Sequence, residues 1–501
     1  MPITGFSQVE STAYTATGRG GVATTFTTDY QTIGINPANL GIRQSFRDPR
    51  IIIGIGEMHT TFFAEALDRR ELNDAIFNSA GTRFSMAEKH QAATKIANTS
   101  VALNMDVMLA GASLQLEDGR GVAISIRDRF QLFARINQTT AELAFLGANA
   151  SYFPELLLSD GRVIANPTYP GNQSLEPLPE ETRQMVINGL YANEDSARLY
   201  SEIMDGSRVS SSWYREYNLS YGQQLYESYN LQLYGGVGLR YINGIMMIEM
   251  AAENGELVSS NISVSSDFGL SFGDTSQITN PTFIPSRNVS AFRRLAFPRP
   301  VGRGYGIDFG ITAIIKKNLR LGLAITNIGQ LRWRGNVYQV NDGKLVQFAG
   351  NGLNNYNLLA SEEGAFQFAG DKSPLRWEGA NQITEPLPSL IRAGISYEFY
   401  KRLHAGIDLI APRNRVAGNL ESWLYAIGAD FTPSKIFTLS SGVNFGGNNS
   451  SRVNWPAGIS YNARKGHYQC GISTRDLLTF FSDIGEGSTV SLAAGFFRIK
   501  I

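Results

Sequence analysis

The chain has 501 residues, 44 Lys+Arg against 44 Asp+Glu, so its formal net charge is zero and no global field draws it to nucleic acid or anionic lipid. Cys470 is the sole cysteine, which excludes an intramolecular disulfide framework and a multi-cysteine metal site. No apolar run approaches the roughly 20 residues of a membrane-spanning helix, while 51 Gly, 21 Tyr and 28 Phe suit β structure with tight turns and close side-chain layers.

No basic-then-apolar leader follows Met1, so export would imply a mature chain whose leader has been removed. The N-terminal stretch carries Gly18-Arg19-Gly20-Gly21-Val22-Ala23, then Asp29, then Ile35-Asn36-Pro37-Ala38-Asn39-Leu40-Gly41. Pro37 fixes its own φ and biases Asn36 toward an extended conformation; Asn36 can bond nearby backbone and Ala38 permits close packing. These residues predict a compact turn in a confined space, either a lead into the first strand or a gate. A first strand is expected near residue 50. The long connection at 58–98 holds Ser85-Met86-Ala87-Glu88, a capping box before a helix over 90–97.

Strands near 100 and 121 meet at Asp118-Gly119-Arg120. The connection at 136–211 contains Pro179-Glu180-Glu181 and then Val186, Leu190, Leu199 and Ile203 at helical spacing, which predicts a helix from Thr182 to Met204. Such insertions either cap a rim or offer a docking surface. Passes near 212 and 231 follow, with a possible extra hairpin inside Met246 to Phe272.

From residue 304 the alternation is strong. Tyr305, Ile307, Phe309, Ile311, Ala313 and Ile315 oppose Gly304, Gly306, Asp308, Gly310 and Thr312, giving one oily and one small, polar face. Lys316-Lys317-Asn318 turns the chain, and Leu319, Leu321, Leu323 and Ile325 then oppose Arg320, Gly322, Ala324 and Thr326. The pattern recurs to the C-terminus. Runs of roughly 9–12 residues match a tilted bilayer-crossing strand. A soluble sandwich also alternates, but its second face would be charged, whereas here it is mostly Gly, Ser, Thr and Ala.

Short turns alternate with long connections at 58–98, 136–211, 251–303 and 330–388, giving about fourteen passes that start near 50, 100, 121, 212, 231, 304, 319, 389, 403, 421, 435, 455, 467 and 488. The number is even, as closure with both ends on one side requires. The fold class is therefore all-β: a transmembrane antiparallel barrel with an N-terminal plug over 1–48, a barrel over 49–501 and partly helical outer loops.

The segment from Gly18 to Gly41 resembles the start of FadL-type long-chain fatty-acid transporters. Gly304-Tyr305-Gly306-Ile307-Asp308-Phe309-Gly310, Leu321-Gly322-Leu323-Ala324-Ile325-Thr326-Asn327-Ile328-Gly329 and Ala405-Gly406-Ile407-Asp408-Leu409 resemble later parts of the same superfamily. The resemblance implies fourteen strands, an Asn-Pro-Ala plug motif (Asn36, Pro37, Ala38, with Leu40 beside it) and passage of hydrophobic molecules. Other members of the superfamily serve in protein-secretion machinery.

No enzyme motif, catalytic group, cofactor motif or metal centre stands out; Glu57 and His59 are two ligand-type residues alone. Asp308, Arg320, Arg392, Glu398, His404 and Asp408 are expected to form a polar network in the lumen. Trp333, Trp423 and Trp455 fall near strand ends, where an interfacial belt or packing under loops would place them. Two functions follow. A transporter would carry an apolar pocket next to Asn36-Pro37-Ala38. A non-transporting subunit of an outer-membrane secretion or assembly complex would instead use its loops on protein partners. Expected partners are membrane lipid or lipopolysaccharide, hydrophobic small molecules, and other outer-membrane or periplasmic proteins, with no nucleic acid.

Overall fold

The computed structural model describes residues 13–42, 50–68, 70–72, 83–116, 118–172, 175–268, 284, 289–356, 377–399, 402–416, 418–420, 422–447, 449–463, 467–478 and 488–501. Fourteen strands follow the pattern of alternating side chains: β1 Ile51–Ala64, β2 Ser100–Gln115, β3 Arg120–Arg135, β4 Arg208–Glu227, β5 Leu231–Glu253, β6 Gly302–Ile315 and β7 Leu319–Trp333. The second half supplies β8 Leu390–Phe399, β9 Leu403–Pro412, β10 Leu424–Phe431, β11 Phe437–Gly446, β12 Ala457–Ala463, β13 Tyr468–Thr474 and β14 Ser488–Lys500. Each pairs antiparallel with the next. Ile52 opposite Lys500 and Ala64 opposite Ser488 join β1 to β14 and close the barrel. Closure removes the edges that an open sheet would leave unpaired.

Outward side chains form an apolar band. Ile53, Leu109, Ile124, Leu219, Leu239, Ile311, Leu323, Ile395, Ile407, Ile427, Val443, Ile459, Ile472 and Leu492 are exposed, one on every strand. From Tyr305 to Ile315 the strand rises about 33 Å, and a tilt of about 40° makes the band roughly 25 Å tall. Among the described residues no helix is long and apolar enough to cross a membrane.

The expected starts near 50, 100, 121, 231, 319, 403 and 488 lie within a residue of those observed. Strand β1 runs on to Ala64, however, so the first long connection begins at 65 rather than 58. The hairpin expected within 246–272 forms from the upper half of β5 and the strand Glu256–Val264; residues 269–272 lie outside the described set.

The long connections gather at one end. Helix Met86–Ile96 starts at the expected capping box: Ser85 N donates to Glu88 Oε2 at 2.7 Å and Glu88 N to Ser85 Oγ at 3.4 Å. It packs on helix Gln138–Leu146 through Ala92, Ile96, Ala141 and Phe145. The helix expected over 182–204 is instead broken. A short helix Glu180–Gln184 gives way to the strand Val186–Leu190, which lies between Glu155–Leu158 and Gln347–Ala349, with Val163–Ala165 at the edge. The Phe153 ring reaches within 2.3 Å of where a Gly189 Cβ would stand. The strand thus fits because Gly189 has no side chain, and tertiary pairing overrides the helical spacing.

Candidate functional site

The barrel's inner face is a stack of three layers. Nearest the short turns, residues 13–42 are enclosed and almost wholly buried. Asn36 caps the short helix Pro37–Gly41: its Oδ1 accepts from Ala38 N at 3.2 Å, and its Nδ2 donates to Thr24 O at 3.1 Å and Thr312 Oγ1 at 2.8 Å. Thr312 Oγ1 in turn donates to Asn39 Oδ1 at 2.7 Å, and Asn39 Nδ2 donates to Thr24 O at 2.9 Å.

Four wall glycines receive this helix. A Cβ on Gly310 would lie 2.0 Å from Asn36 Oδ1, on Gly236 2.3 Å from the Pro37 carbonyl carbon, on Gly222 2.4 Å from Pro37 O and on Gly121 2.1 Å from Leu40 O. Ala38 packs with Tyr234 and Ile314, and Leu40 with Tyr30, Met108 and Ala123. The small-residue face read in the sequence is therefore shaped to the N-terminal segment.

Of the six residues expected to form one lumen network, Glu398 stands opposite His404 with Arg320 close enough to interact with both, Arg392 interacts with Asp408, and Asp308 joins other partners. Asp408 Oδ2 accepts from Ala23 N and Thr24 N, both at 2.9 Å, and from Thr24 Oγ1 at 2.6 Å. Arg320 Nη1 donates to Thr25 O at 3.2 Å. His404 stacks on Phe26 with ring centres 3.8 Å apart and contacts Ser396 Oγ at 3.0 Å. Glu398 lines an open turn-side recess with Arg19, His404, Asp430 and Arg498. Arg392 is buried beside His59 and Arg475 at a space of about 30 Å³. These five face the N-terminal segment or its margins. Asp308 belongs to a second group: its Oδ1 accepts from Asn327 N on β7 at 2.7 Å, and its Oδ2 faces Arg240 on β5.

That second group is the middle layer. Arg240 Nη2 pairs with Asp308 at 2.6 Å, and Arg240 Nη1 with Glu216 at 3.4 Å. Arg129 approaches Glu216 at 3.5 Å and Asp106 at 3.6 Å, and Arg127 approaches Asp106 at 3.5 Å. The charges run across β2 to β6 and rest on the segment below: a Cβ on Gly34 would lie 3.0 Å from Arg240 Nη2. Arg127, Arg129, Asp106, Glu216 and Arg240 were absent from the sequence reading. The available sign was Arg127 and Arg129 on one face of an otherwise apolar alternation.

Above the charges, at the loop end, lies a cavity of about 220 Å³ lined mainly by apolar groups, including Phe133, Tyr214, Met247, Leu331, Trp333 and Leu387. Arg208 pairs with Glu249 at 2.7 Å at its margin, and Trp333 Nε1 donates to Glu385 Oε2 at 3.0 Å. Burial, then the charge of Glu249, raises the Glu385 carboxyl to about 7. Trp333 is buried here and not in an outer belt, because the register slips beside Asn327, whose φ is +61°, and turns the upper part of β7 over. Trp423 and Trp455 are exposed. The apolar space is thus one layer removed from Asn36-Pro37-Ala38, not next to it. Glu57 and His59 are both buried and engaged separately: Glu57 accepts from Tyr30 and Gln31, and His59 Nε2 contacts Ser491 Oγ at 3.0 Å.

An even, closed antiparallel barrel with an apolar outer band, a polar interior, short turns at one end and long loops at the other has the construction of an outer-membrane β-barrel protein. The chain belongs to a family of unknown function, DUF5723, whose model matches residues 178–467. No curated protein matches it in sequence. Among solved structures it is similar to a deletion mutant of the TodX monoaromatic hydrocarbon channel, at 12% identity over 98% of this chain and 100% of that one, with a TM-score of 0.47. It is also similar to the Ralstonia pickettii toluene transporter TbuX, at 10% identity over 99% and 98% with a TM-score of 0.42. A Pseudomonas aeruginosa FadL homologue matches at 12% identity over 99% of each chain, TM-score 0.41. The barrel assignment rests on the strand pairing, closed by β1 against β14.

Proposed function

We propose that this protein is an outer-membrane conduit for compact hydrophobic molecules, closed at rest by residues 1–48 acting as a plug within the barrel of 49–501. One observation carries the reading: a largely apolar cavity at the loop end of the lumen, seated over a charged layer and the buried N-terminal segment. An apolar cavity of about 150 Å³ is known to hold benzene, so about 220 Å³ suits a one-ring hydrocarbon better than an extended fatty chain. The charged layer below would have to part before anything moves on. A layer of paired ions is suited to that, because its pairs can exchange partners without exposing an apolar core.

The test is saturable binding of a one-ring hydrocarbon by the full-length protein reconstituted in lipid, compared with Met247→Trp, which fills the cavity. Loss of binding in the variant supports the reading; equal binding removes it.

The reading as a non-transporting subunit draws on a different observation. The loop strands Glu155–Leu158, Val163–Ala165, Val186–Leu190 and Gln347–Ala349 form a sheet with its own core, including Leu156, Leu158 and Val186. Mild extraction followed by mass spectrometry, with and without residues 155–190, would reveal a partner held by this cap.

A further inference from the structure

The barrel's outer face carries an arrangement that the conduit reading does not use. Arg303 on β6 stands directly opposite Arg332 on β7. Both line an outward concavity of about 570 Å³ together with Arg334, Tyr305, Gln330 and Pro300. Like charges directly opposed across a strand pair are destabilising, and among the described residues no carboxylate pairs with any of the three guanidiniums.

The rows on either side fix the depth of this cluster. Pairing aligns Arg215, Asn243, Arg303 and Arg332 in one row. Two residues toward the turns, Tyr217, Tyr241 and Tyr305 form the next outward row, all exposed; Leu219, Leu239 and Ile307 follow. Tyrosines mark the boundary between hydrocarbon and headgroups, so the arginine row sits one step further out, at the loop end.

A second feature borders the same row. Arg215 Nη1 and Nη2 donate to Ala296 O at 2.5 Å and Leu295 O at 3.1 Å, which ties the short helix Ala291–Ala296 to the wall. That helix and the residue after it leave Phe292, Leu295 and Phe297 at 77%, 60% and 70% exposure, beside Arg293 and Arg294. Large apolar groups interleaved with arginines at headgroup depth match an amphiphile that is both anionic and fatty.

We infer that Arg303, Arg332 and Arg334 bind the phosphate groups of a phosphorylated glycolipid of the outer leaflet, with Phe292, Leu295 and Phe297 against its acyl chains. Guanidinium forks match phosphate bidentately, and an intervening phosphate turns the opposed arginines from a repulsive pair into a clamp. The inference rests on the outer-membrane placement and is independent of whether anything is transported.

The experiment compares the full-length protein with an Arg303→Gln/Arg332→Gln/Arg334→Gln variant in neutral-detergent micelles. Binding is read by native mass spectrometry and by the shift in melting temperature. The probes are bisphosphorylated lipid A, enzymatically dephosphorylated lipid A and inorganic phosphate. Lipid A should bind the wild type and raise its melting temperature, with affinity lowered about tenfold or more in the triple variant, the effect of a single lost charge-assisted contact or greater. Dephosphorylated lipid A and inorganic phosphate should each bind far more weakly. Unchanged heat-modifiable migration in gels and an unchanged lipid-free melting temperature would establish that the variant is folded; if the triple change impairs folding, single Arg332→Gln provides the same comparison. Equal binding of lipid A by wild type and variant, equal binding of the dephosphorylated lipid, or equal binding of inorganic phosphate would each overturn the proposal.

Discussion

Asn36 Nδ2 donates to Thr312 Oγ1 at 2.8 Å, a bond between the N-terminal segment and the turn-side part of β6, 276 positions away in sequence. It depends on Gly310, one step along the same inward face, because any Cβ there would occupy the position of Asn36 Oδ1. The seat of the segment is thus cut by glycines and fastened by amide and hydroxyl groups.

Gly310→Ala and Gly236→Ala should therefore unseat the segment without opening the barrel. Alanine suits a strand better than glycine, so the wall itself loses nothing. Single-channel recording in planar bilayers should find higher ion conductance in both variants than in the wild type, with heat-modifiable migration retained. Wild-type conductance in both would contradict the seating.

Removing one partner from the charged layer should cost more than removing two. Asp308→Ala leaves Arg240 buried with only the longer contact to Glu216, and breaking a buried pair costs about 3–5 kcal/mol. The double change Arg240→Met/Asp308→Asn, whose amide oxygen can still accept from Asn327 N, should recover most of that loss in urea unfolding from lipid vesicles. Additive losses would argue against a coupled pair.

Lipid contact on the outer band is testable at one position. Ile427 is 56% exposed on β10, and arginine facing lipid near the midplane costs about 2–4 kcal/mol. Ile427→Arg should lower unfolding stability by that amount in vesicles, whereas Ile427→Leu should be nearly neutral.

The proposed hydrocarbon binding should depend on pH through Glu385. Burial raises its carboxyl from 4.5 to about 7, so the folded state favours the neutral acid. The resulting stabilisation is fully present below pH 4.5 and is lost as pH rises through about 7. An apolar guest that dries the cavity disfavours the carboxylate further. Binding should be tighter at pH 6 than at pH 8, and Glu385→Gln should abolish the difference.

The strands were legible because lipid selects apolar side chains at every second position, as in Tyr305, Ile307, Phe309 and Ile311. The partners of Asp308 were not. Arg240 lies on a neighbouring strand 68 positions back, and the contact depends on register across β5 and β6, which no local pattern encodes. Trp333 took the second of its two expected places, packed under the loops and not in a belt, for a related reason: the irregularity beside Asn327 reverses which side chains face inward, and its sequence is an unremarkable Thr-Asn-Ile. In the loop cap, Val186 and Leu190 fit helical spacing equally well. Pairing with Glu155–Leu158 and Gln347–Ala349, and the packing of Phe153 against Gly189, decide for a strand.

Hydrocarbon binding at the loop-end cavity is the most direct test of the conduit. Full-length protein in lipid nanodiscs, titrated with a labelled one-ring hydrocarbon, should bind saturably at one site, and Met247→Trp should weaken that binding about tenfold or more, as expected when a guest's volume is taken by a side chain. Saturable binding of equal strength in both proteins, or none in the wild type above what empty nanodiscs absorb, would contradict it.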